Sequence, residues 1–492
     1  MGLHLYDTRR RRVRPFEPQR PGHVGVYVCG PTVQSAPHVG HLRTALPFDL
    51  LRRWLTHGGL DVTLVQNVTD IDDRIIVNAD RDGTSVWELA TRQTRAFDDA
   101  YRTVGILPPS IQPRATGHIP EMIALIGALV DGGYAYPGGG SVWFRVGRFA
   151  DYGALSHQRP DAMLPSAETE PGKRDPRDFA LWKAARPGEP SWTSPWGDGR
   201  PGWHLECSAM AGKYLGPSFD IHGGGLDLVF PHHENERAQT VCAADGGAGT
   251  GEMARYWMHV GLLTTGGTKM SKSLGNSVLV ADALEAVRPQ VLRYHLLSAH
   301  YRSTLEYSPE ALAESTAAHD RVETFVRNAL DILGGPGEAA ALAADDGPPD
   351  AGAGRSHGAG GAEAPTPARV WADFAAALDD DLAVGRALAA IFGAVGQGNQ
   401  VLSKAHSRAL AGWAEVTRRM LAVFGLDPHE QWPSAGAELR SALDGVMQIV
   451  LDLRSAARSR HDYTEADAIR SRLAAAGLVV EDTSEGQRWH LA

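Results

Sequence analysis

Cysteine occurs only three times in this 492-residue chain, at Cys29, Cys207 and Cys242. Three thiols cannot build a disulfide framework. That excludes a disulfide-stapled secreted scaffold and favours a reducing compartment, with the thiols used as ligands or left as core. There is no run of about 18 apolar residues, so no membrane span is predicted. The opening Met1-Gly2-Leu3-His4-Leu5-Tyr6 lacks the apolar segment of a signal peptide and the hydroxyl residue of a myristoylation signal, so a cytoplasmic protein is expected. Lysine is scarce too, supplying six of the 48 basic residues. The net charge of −10 argues against a general nucleic-acid binder. Two arginine clusters remain open to local contacts or to a solvated face: Arg9, Arg10, Arg11, Arg12 and Arg14, and Arg454, Arg458, Arg460, Arg470 and Arg472. With 43% apolar and 22% charged residues, the rest of the composition is that of a globular protein with room for two to four domains.

Val24 to Cys29 reads as a buried strand followed by a Gly30-Pro31-Thr32 turn. Pro37 leads into an amphipathic helix with Leu42, Leu46, Leu50 and Leu51 at helical spacing, and Val62 to Val68 is the next strand. Strand, turn, helix, strand opens a doubly wound parallel α/β sheet of Rossmann-like type. From 116 to 200 the texture changes to Gly, Pro, Trp and short alternating pieces, which reads as an insertion. The pattern resumes near 201: Phe219 to His222 is a strand, Gly223-Gly224-Gly225 a turn, Phe230 to Ala244 a helix and Tyr256 to Leu263 a strand. Beyond Ser308-Pro309-Glu310 the chain turns helical. A Gly-, Ala- and Pro-rich stretch, 334–365, is expected to be a flexible linker. A long helix is expected over 436–457, and a capping box at Thr464-Glu465-Ala466-Asp467 opens a short one.

Two segments carry chemistry. Pro37-His38-Val39-Gly40-His41 places two histidines inside a helix start that follows a strand, where unpaired N–H groups and the helix dipole favour phosphate. The motif is short, and a histidine pair capping an ordinary helix would read the same way. Lys269-Met270-Ser271-Lys272-Ser273, flanked by Gly266-Gly267 and Gly275, is more specific. In a chain that writes its positive charge as Arg, two lysines three apart suit a mobile loop closing on a triphosphate. Cys29, Cys207 and the i, i+4 pair His232 and Glu236 form a third constellation. Spacing alone leaves open whether these are zinc-type ligands or two core thiols beside an exposed His/Glu face.

The two motifs in this order resemble the signature of class I aminoacyl-tRNA synthetases. End to end the chain resembles the cysteinyl-tRNA synthetase family, through Tyr27-Val28-Cys29-Gly30-Pro31-Thr32-Val33, Asn67-Val68-Thr69-Asp70-Ile71-Asp72-Asp73, Pro201-Gly202-Trp203-His204-Leu205-Glu206-Cys207-Ser208 and Phe230-Pro231-His232-His233-Glu234-Asn235-Glu236. The resemblance implies ligation of L-cysteine to tRNA(Cys) through a cysteinyl-adenylate. It implies ATP binding at His38, Gly40, His41, Asp227 and Lys272, with catalytic roles for His38, His41, Lys269 and Lys272 and Mg²⁺ accompanying ATP. It implies one Zn²⁺ per chain on Cys29, Cys207, His232 and Glu236, with His233 and Glu234 on other helix faces and Cys242 in the core. Thr69 and Trp203 would lie beside the cysteine substrate, and Arg458, Asp467 and Asp482 would read the anticodon. A pocket using shape alone separates such similar substrates by only about 10–200-fold, so zinc–thiolate recognition would explain how serine is refused without editing.

The domains implied are 1–115, first half of the catalytic domain; 116–200, the connective insertion; 201–265, its second half; 266–307, the lysine loop and stem-contact region; 308–435, a helical bundle with the 334–365 linker; and 436–492, an anticodon-binding module. A monomer is expected. Two rivals remain: a cysteine ligase with a small amino-sugar acceptor, against which residues 436–492 count, and a non-catalytic tRNA-binding paralogue, against which the complete set of histidines and lysines counts. The chain departs from the common family pattern at Gln34-Ser35-Ala36 and Val39.

Overall fold

A computed structural model describes residues 2–158, 171–244, 251–270, 275–344, 365–403, 407–429, 437–483 and 486–491. The chain forms two compact units, Met1–Glu430 and Gln431–Ala492.

At the centre of the first unit is a four-stranded, all-parallel sheet in the order Ala254–Val260, Phe219–Gly225, His23–Val28, Asp61–Gln66. These strands are short and largely buried on both faces, as a sheet covered by crossover helices requires, although Phe219–Gly225 carries Asp220, His222 and three glycines. The first crossover, Val39–His57, buries Leu42, Leu46, Leu50, Leu51 and Trp54. The doubly wound expectation holds. The glycine triplet does not turn, however: Gly223, Gly224 and Gly225 continue the strand and pair with Met258, His259 and Val260. Close packing explains them, since a Cβ at Gly223 would lie 2.2 Å from the Phe48 ring and one at Gly224 would lie 3.0 Å from His233.

The segment after the first half of the sheet opens with a helix, Ile119–Asp131, and continues as a four-stranded antiparallel sheet of Ala135–Gly138, Ser141–Phe144, Phe179–Ala184 and Gly199–Pro201. The expected helix from Phe230 is broken. A π-turn, Val229–His233, with extended Phe230 (φ −139°, ψ 132°) precedes the regular helix Glu234–Ala244. After Pro309–Leu333, part of the expected linker is also helical, Pro336–Ala344. Alanines there sustain a helix after Gly334 ends the previous one in the left-handed region. The remainder of that stretch, 345–364, lies outside the described residues. Helices Pro367–Asp379, Val384–Val401 and Arg408–Phe424 follow. Among the described residues no helix is long and apolar enough to cross a membrane.

The second unit comprises helices Ala437–Ser459 and Tyr463–Ala475 and an antiparallel hairpin, Leu478–Thr483 with Gly486–Leu491, packed around Met447, Leu451 and Val480. Its second helix is capped two residues earlier than the sequence suggested, at Asp462 rather than Thr464. Asp462 accepts from the Glu465 N–H at 3.0 Å, because a carboxylate competes well for that donor.

A buried ion pair ties the first crossover helix to the helical region. Asp49 accepts from Arg293, from Arg53 (2.9 Å) and from the Leu107 N–H (2.9 Å). Burial pushes its carboxyl up, but the two guanidiniums and the N–H outweigh this and hold it below the ordinary range. A depressed folded-state pKa means stabilisation present above the unfolded value and lost as pH falls through the folded one. Asp49→Ala would leave Arg293 buried without its counter-charge. It is expected to cost about 3–5 kcal/mol, measured by denaturant unfolding at pH 7. A change under about 1 kcal/mol would mean that the pair is not structural.

Candidate active site and metal centre

The sheet order reverses between His23–Val28 and Phe219–Gly225, so their carboxyl ends diverge and leave a crevice, the place where open α/β sheets bind ligands. A cavity of about 660 Å³ lies there, lined among others by Cys29, His38, His41, Trp203, Asp227 and Lys269. Gly30 lets the chain leave the strand tightly: a Cβ there would sit 1.6 Å from the Asn67 carbonyl oxygen, so no other residue fits this turn.

His38 is the N-cap of Val39–His57, and His41 lies in the first turn. Their rings stack, with centroids 3.7 Å apart, and Gly40 preserves that stack because a Cβ would meet His38 Nδ1 at 2.9 Å. His41 Nδ1 accepts the backbone N–H of His38 at 3.0 Å. An accepting Nδ1 carries no proton, which makes His41 a neutral imidazole with its proton on Nε2, a donor. Two imidazoles at a helix N-terminus therefore face the cavity where an anion is favoured. Across it, Lys269 ends the short strand Thr268–Lys269, with its Nζ 3.7 Å from Asp227 Oδ2. Lys272 lies outside the described residues.

The sulfur cluster meets the cavity at Cys29. One ligand-type atom from each of Cys29, Cys207, His232 and Glu236 lies within 4.8 Å of the others, and all four residues are buried. Cys29 Sγ is 3.6 Å from Cys207 Sγ and 3.3 Å from Glu236 Oε1, and His232 Nε2 is 3.0 Å from the same oxygen. His204 engages the other nitrogen of His232 at 2.9 Å, so Nε2 turns inward. Burial lowers His232 to about 3, leaving it neutral, and burial pushes both thiols up. Burial also pushes Glu236 up, but the His222 and His232 imidazoles draw it back below the ordinary range. Two sulfurs pressed against a carboxylate are stable together as anions only around a cation, and a soft S₂NO donor set fits Zn²⁺.

The structure brings Trp203 to this cluster, stacked on His232 with centroids 4.2 Å apart. Thr69 is buried, receives the Asn67 side-chain N–H at 3.2 Å, and is not among the residues lining the cavity. Cys242 packs in the core. Glu234 is turned away from the cluster, accepting from the Leu155 and Ser156 N–H groups at 3.0 and 2.8 Å. His233 departs from expectation. The π-turn brings its Nε2 to 3.9 Å from Glu236, while its Nδ1 bonds His259 at 2.8 Å. Sequence reading also missed His222, whose Nε2 bonds Glu236 Oε2 at 2.8 Å. With His233 it forms a second, overlapping donor group that contains only one sulfur. A histidine within a buried strand was the available signal. In the second unit, Arg458 and Asp467 are exposed, Asp467 pairing with Arg470 at 3.3 Å. Asp482 belongs to the strand Leu478–Thr483, its side chain outside the description.

Solved structures with a similar fold include methionyl-tRNA synthetase of Mycobacterium tuberculosis in complex with methionyl-adenylate, with a TM-score of 0.60 and 18% identity, matching 83% of this chain and 92% of that one. Another is the LeuRS of a ternary complex from Agrobacterium radiobacter, with a TM-score of 0.58 and 11% identity, matching 85% and 87%. The fold is that of a class I aminoacyl-tRNA synthetase. Residues 15–317 match the family described as tRNA synthetases class I (C) catalytic domain, and residues 440–489 match the cysteinyl-tRNA ligase anticodon binding domain. The cysteine–tRNA ligase of Frankia casuarinae is 81% identical over the whole of both chains, and that of Streptomyces avermitilis is 49% identical over 100% of this chain and 99% of the other. The chain belongs to the cysteine–tRNA ligase family.

Proposed function

We propose that this protein activates L-cysteine with ATP and transfers it to tRNA(Cys) in the cytoplasm, as a monomer. The observation that carries this reading is one cavity walled by the histidine turn and Lys269 and sharing Cys29 with a buried sulfur cluster. A carboxylate oxygen of cysteine attacks the α-phosphorus of ATP, and the bond to the bridging oxygen breaks to release pyrophosphate. Imidazole donors of His38 and His41 face the oxygens that gain charge. Lys269 and Lys272 neutralise the departing pyrophosphate, where Mg²⁺ arriving with ATP would add further positive charge, and Asp227 takes the ribose. A ribose hydroxyl of the tRNA 3′ adenosine then attacks the acyl carbon and AMP leaves.

Zinc on Cys29, Cys207, His232 and Glu236 would supply a Lewis acid that prefers a thiolate to a hydroxyl. Trp203, stacked on His232, and Thr69, which accepts from the Asn67 side chain, would stand beside the cysteine substrate. The divisions 1–115, 116–200, 201–265, 266–307, 308–435 and 436–492 follow these tasks, the last reading the anticodon through Arg458, Asp467 and Asp482. An amino-sugar acceptor would leave residues 440–489 without a task.

Two assays test the reading. Cysteine-dependent ATP–pyrophosphate exchange should occur without RNA, and radiolabelled cysteine should attach to unfractionated tRNA. Exchange with no labelled RNA would point to another acceptor; no exchange would end the reading. Arg458→Ala is expected to raise KM for tRNA about tenfold while leaving exchange unchanged, since a base-edge contact is worth about 1–3 kcal/mol. An unchanged tRNA KM would remove Arg458 from the anticodon site.

A further inference from the structure

We propose that Arg43 is a positioning residue for ATP activation: its donor fork locks the segment behind the lysine hairpin to the helix that carries His38 and His41. The inference rests on the reading of the cavity as an ATP site.

Arg43 follows His41 by two residues, reaches the cavity wall, and is only 1% exposed. Its guanidinium serves five backbone carbonyls. Nη1 donates to Leu296 (2.6 Å) and Ala299 (3.3 Å), and Nη2 donates to His300 (2.8 Å), Tyr301 (3.4 Å) and Ser303 (3.2 Å). The first of these carbonyls belongs to the last turn of the helix Pro289–Ser298, where orphan acceptors and the negative end of the dipole favour a cation. All five acceptors are neutral, and among the described residues no carboxylate forms an ion pair with Arg43. Burial lowers its pKa to about 10, so the charge persists at neutral pH. A desolvated cation with no counter-ion, set in the wall of a triphosphate cavity, attracts that anion from a fixed position.

The gripped segment also holds the lysine hairpin. The Gly261 N–H donates to the Tyr301 carbonyl at 2.7 Å, and the Leu305 N–H to Leu262 at 3.0 Å. Leu263 and Thr264 pair with Leu305 and Glu306, and Thr264 and Thr265 pair in turn with Lys269 and Thr268. A Cβ at Gly261 would lie 2.5 Å from the Ser303 carbonyl oxygen, so backbone meets backbone with nothing between. Asp381 holds the same segment from the far side, accepting from Tyr301 Oη at 2.6 Å and from the Arg302 guanidinium at 2.6 and 2.8 Å. Beyond the lysine loop, Val278 and Val280 bond Val39 and Pro37, each at 3.0 Å. The histidine helix and the residues just before it thus hold the chain on both sides of the loop, and Arg43 is the side chain of that hold that reaches the cavity wall. Lysine in its place would keep the charge and lose the fork.

The test compares the full-length unaltered protein with Arg43→Lys, Arg43→Met and Gly261→Ala in cysteine-dependent pyrophosphate exchange. It measures kcat, KM for ATP, KM for cysteine and the thermal midpoint. Arg43→Lys is expected to lower kcat at least tenfold with KM for ATP within about threefold. Arg43→Met should also raise KM for ATP about tenfold, and KM for cysteine should stay within about twofold in both. Gly261→Ala, which displaces the carbonyls and leaves Arg43 intact, should repeat the kcat loss of Arg43→Lys. If Arg43→Met fails to fold, the other two variants decide. A lowered midpoint with unchanged kcat and KM, or a parallel rise of both KM values, would make Arg43 a structural staple only and overturn the proposal. Absence of exchange in the unaltered protein would instead defeat the underlying functional reading.

Discussion

Protein carrying Cys207→Ser is expected to be purified with little zinc, and the unaltered chain with about one ion per molecule. Cys207 Sγ lies 3.6 Å from Cys29 Sγ inside a cluster whose four residues are buried, so its loss removes one of only two sulfurs. Serine hydroxyl does not ionise readily and is a poor ligand for a borderline-soft cation. Losing an outer-shell partner of a metal ligand typically costs about 10–100-fold, and losing a ligand should cost more. Cysteine-dependent exchange should therefore fall by well over 100-fold, while ATP still binds the histidine side of the cavity. Metal analysis and exchange on the same preparation check this. Full zinc occupancy in the variant would show that the ligand set is wrong, and full activity without zinc would show that recognition does not need the metal.

The second large effect is expected at His41. Its accepting Nδ1 leaves Nε2 as the donor, in a stack with His38 at a helix N-terminus. Removing one preorganised donor from a developing oxyanion costs about 10²–10³ in kcat. His41→Ala should lose that much in exchange, with KM for cysteine and zinc content unchanged. His41→Asn separates the two roles of the ring. Its amide can take the His38 N–H yet cannot reach as far as Nε2, so it should restore thermal stability and leave kcat low. Recovery of kcat in His41→Asn would reduce His41 to a helix cap.

Much of this was legible in the sequence, for reasons that differ from residue to residue. Largely apolar runs gave the parallel strands, because a sheet covered on both faces is apolar over most of its length. The histidine turn and the lysine loop stood out because each is a short run of few residue types, and the structure sets the turn and Lys269 on one cavity, while Lys272 lies outside the described residues. The four-residue sulfur, imidazole and carboxylate set was only one of two readings until the resemblance selected it, since its members come from parts of the chain as far apart as Cys29, Cys207 and His232. The glycine triplet misled because turn and close-packed strand look alike without knowing that Phe48 lies opposite. His222 and His233 escaped for a related reason: their closeness to Glu236 depends on strand register and on a π-turn, neither of which has a local signature. The 334–365 stretch read as linker because its alanines looked like filler, although Pro336–Ala344 uses them as helix formers.

Gly223 has a consequence for anyone altering this protein by directed evolution. The Phe48 ring occupies the space that a side chain at this one position would need, and Phe48 sits about two helix turns beyond His41 on the same rod. A methyl group there would act as a wedge, tilting the rod and spoiling its alignment with the sulfurs at the other wall. In a saturation library, position 223 should tolerate no replacement, although it is not among the residues that line the cavity.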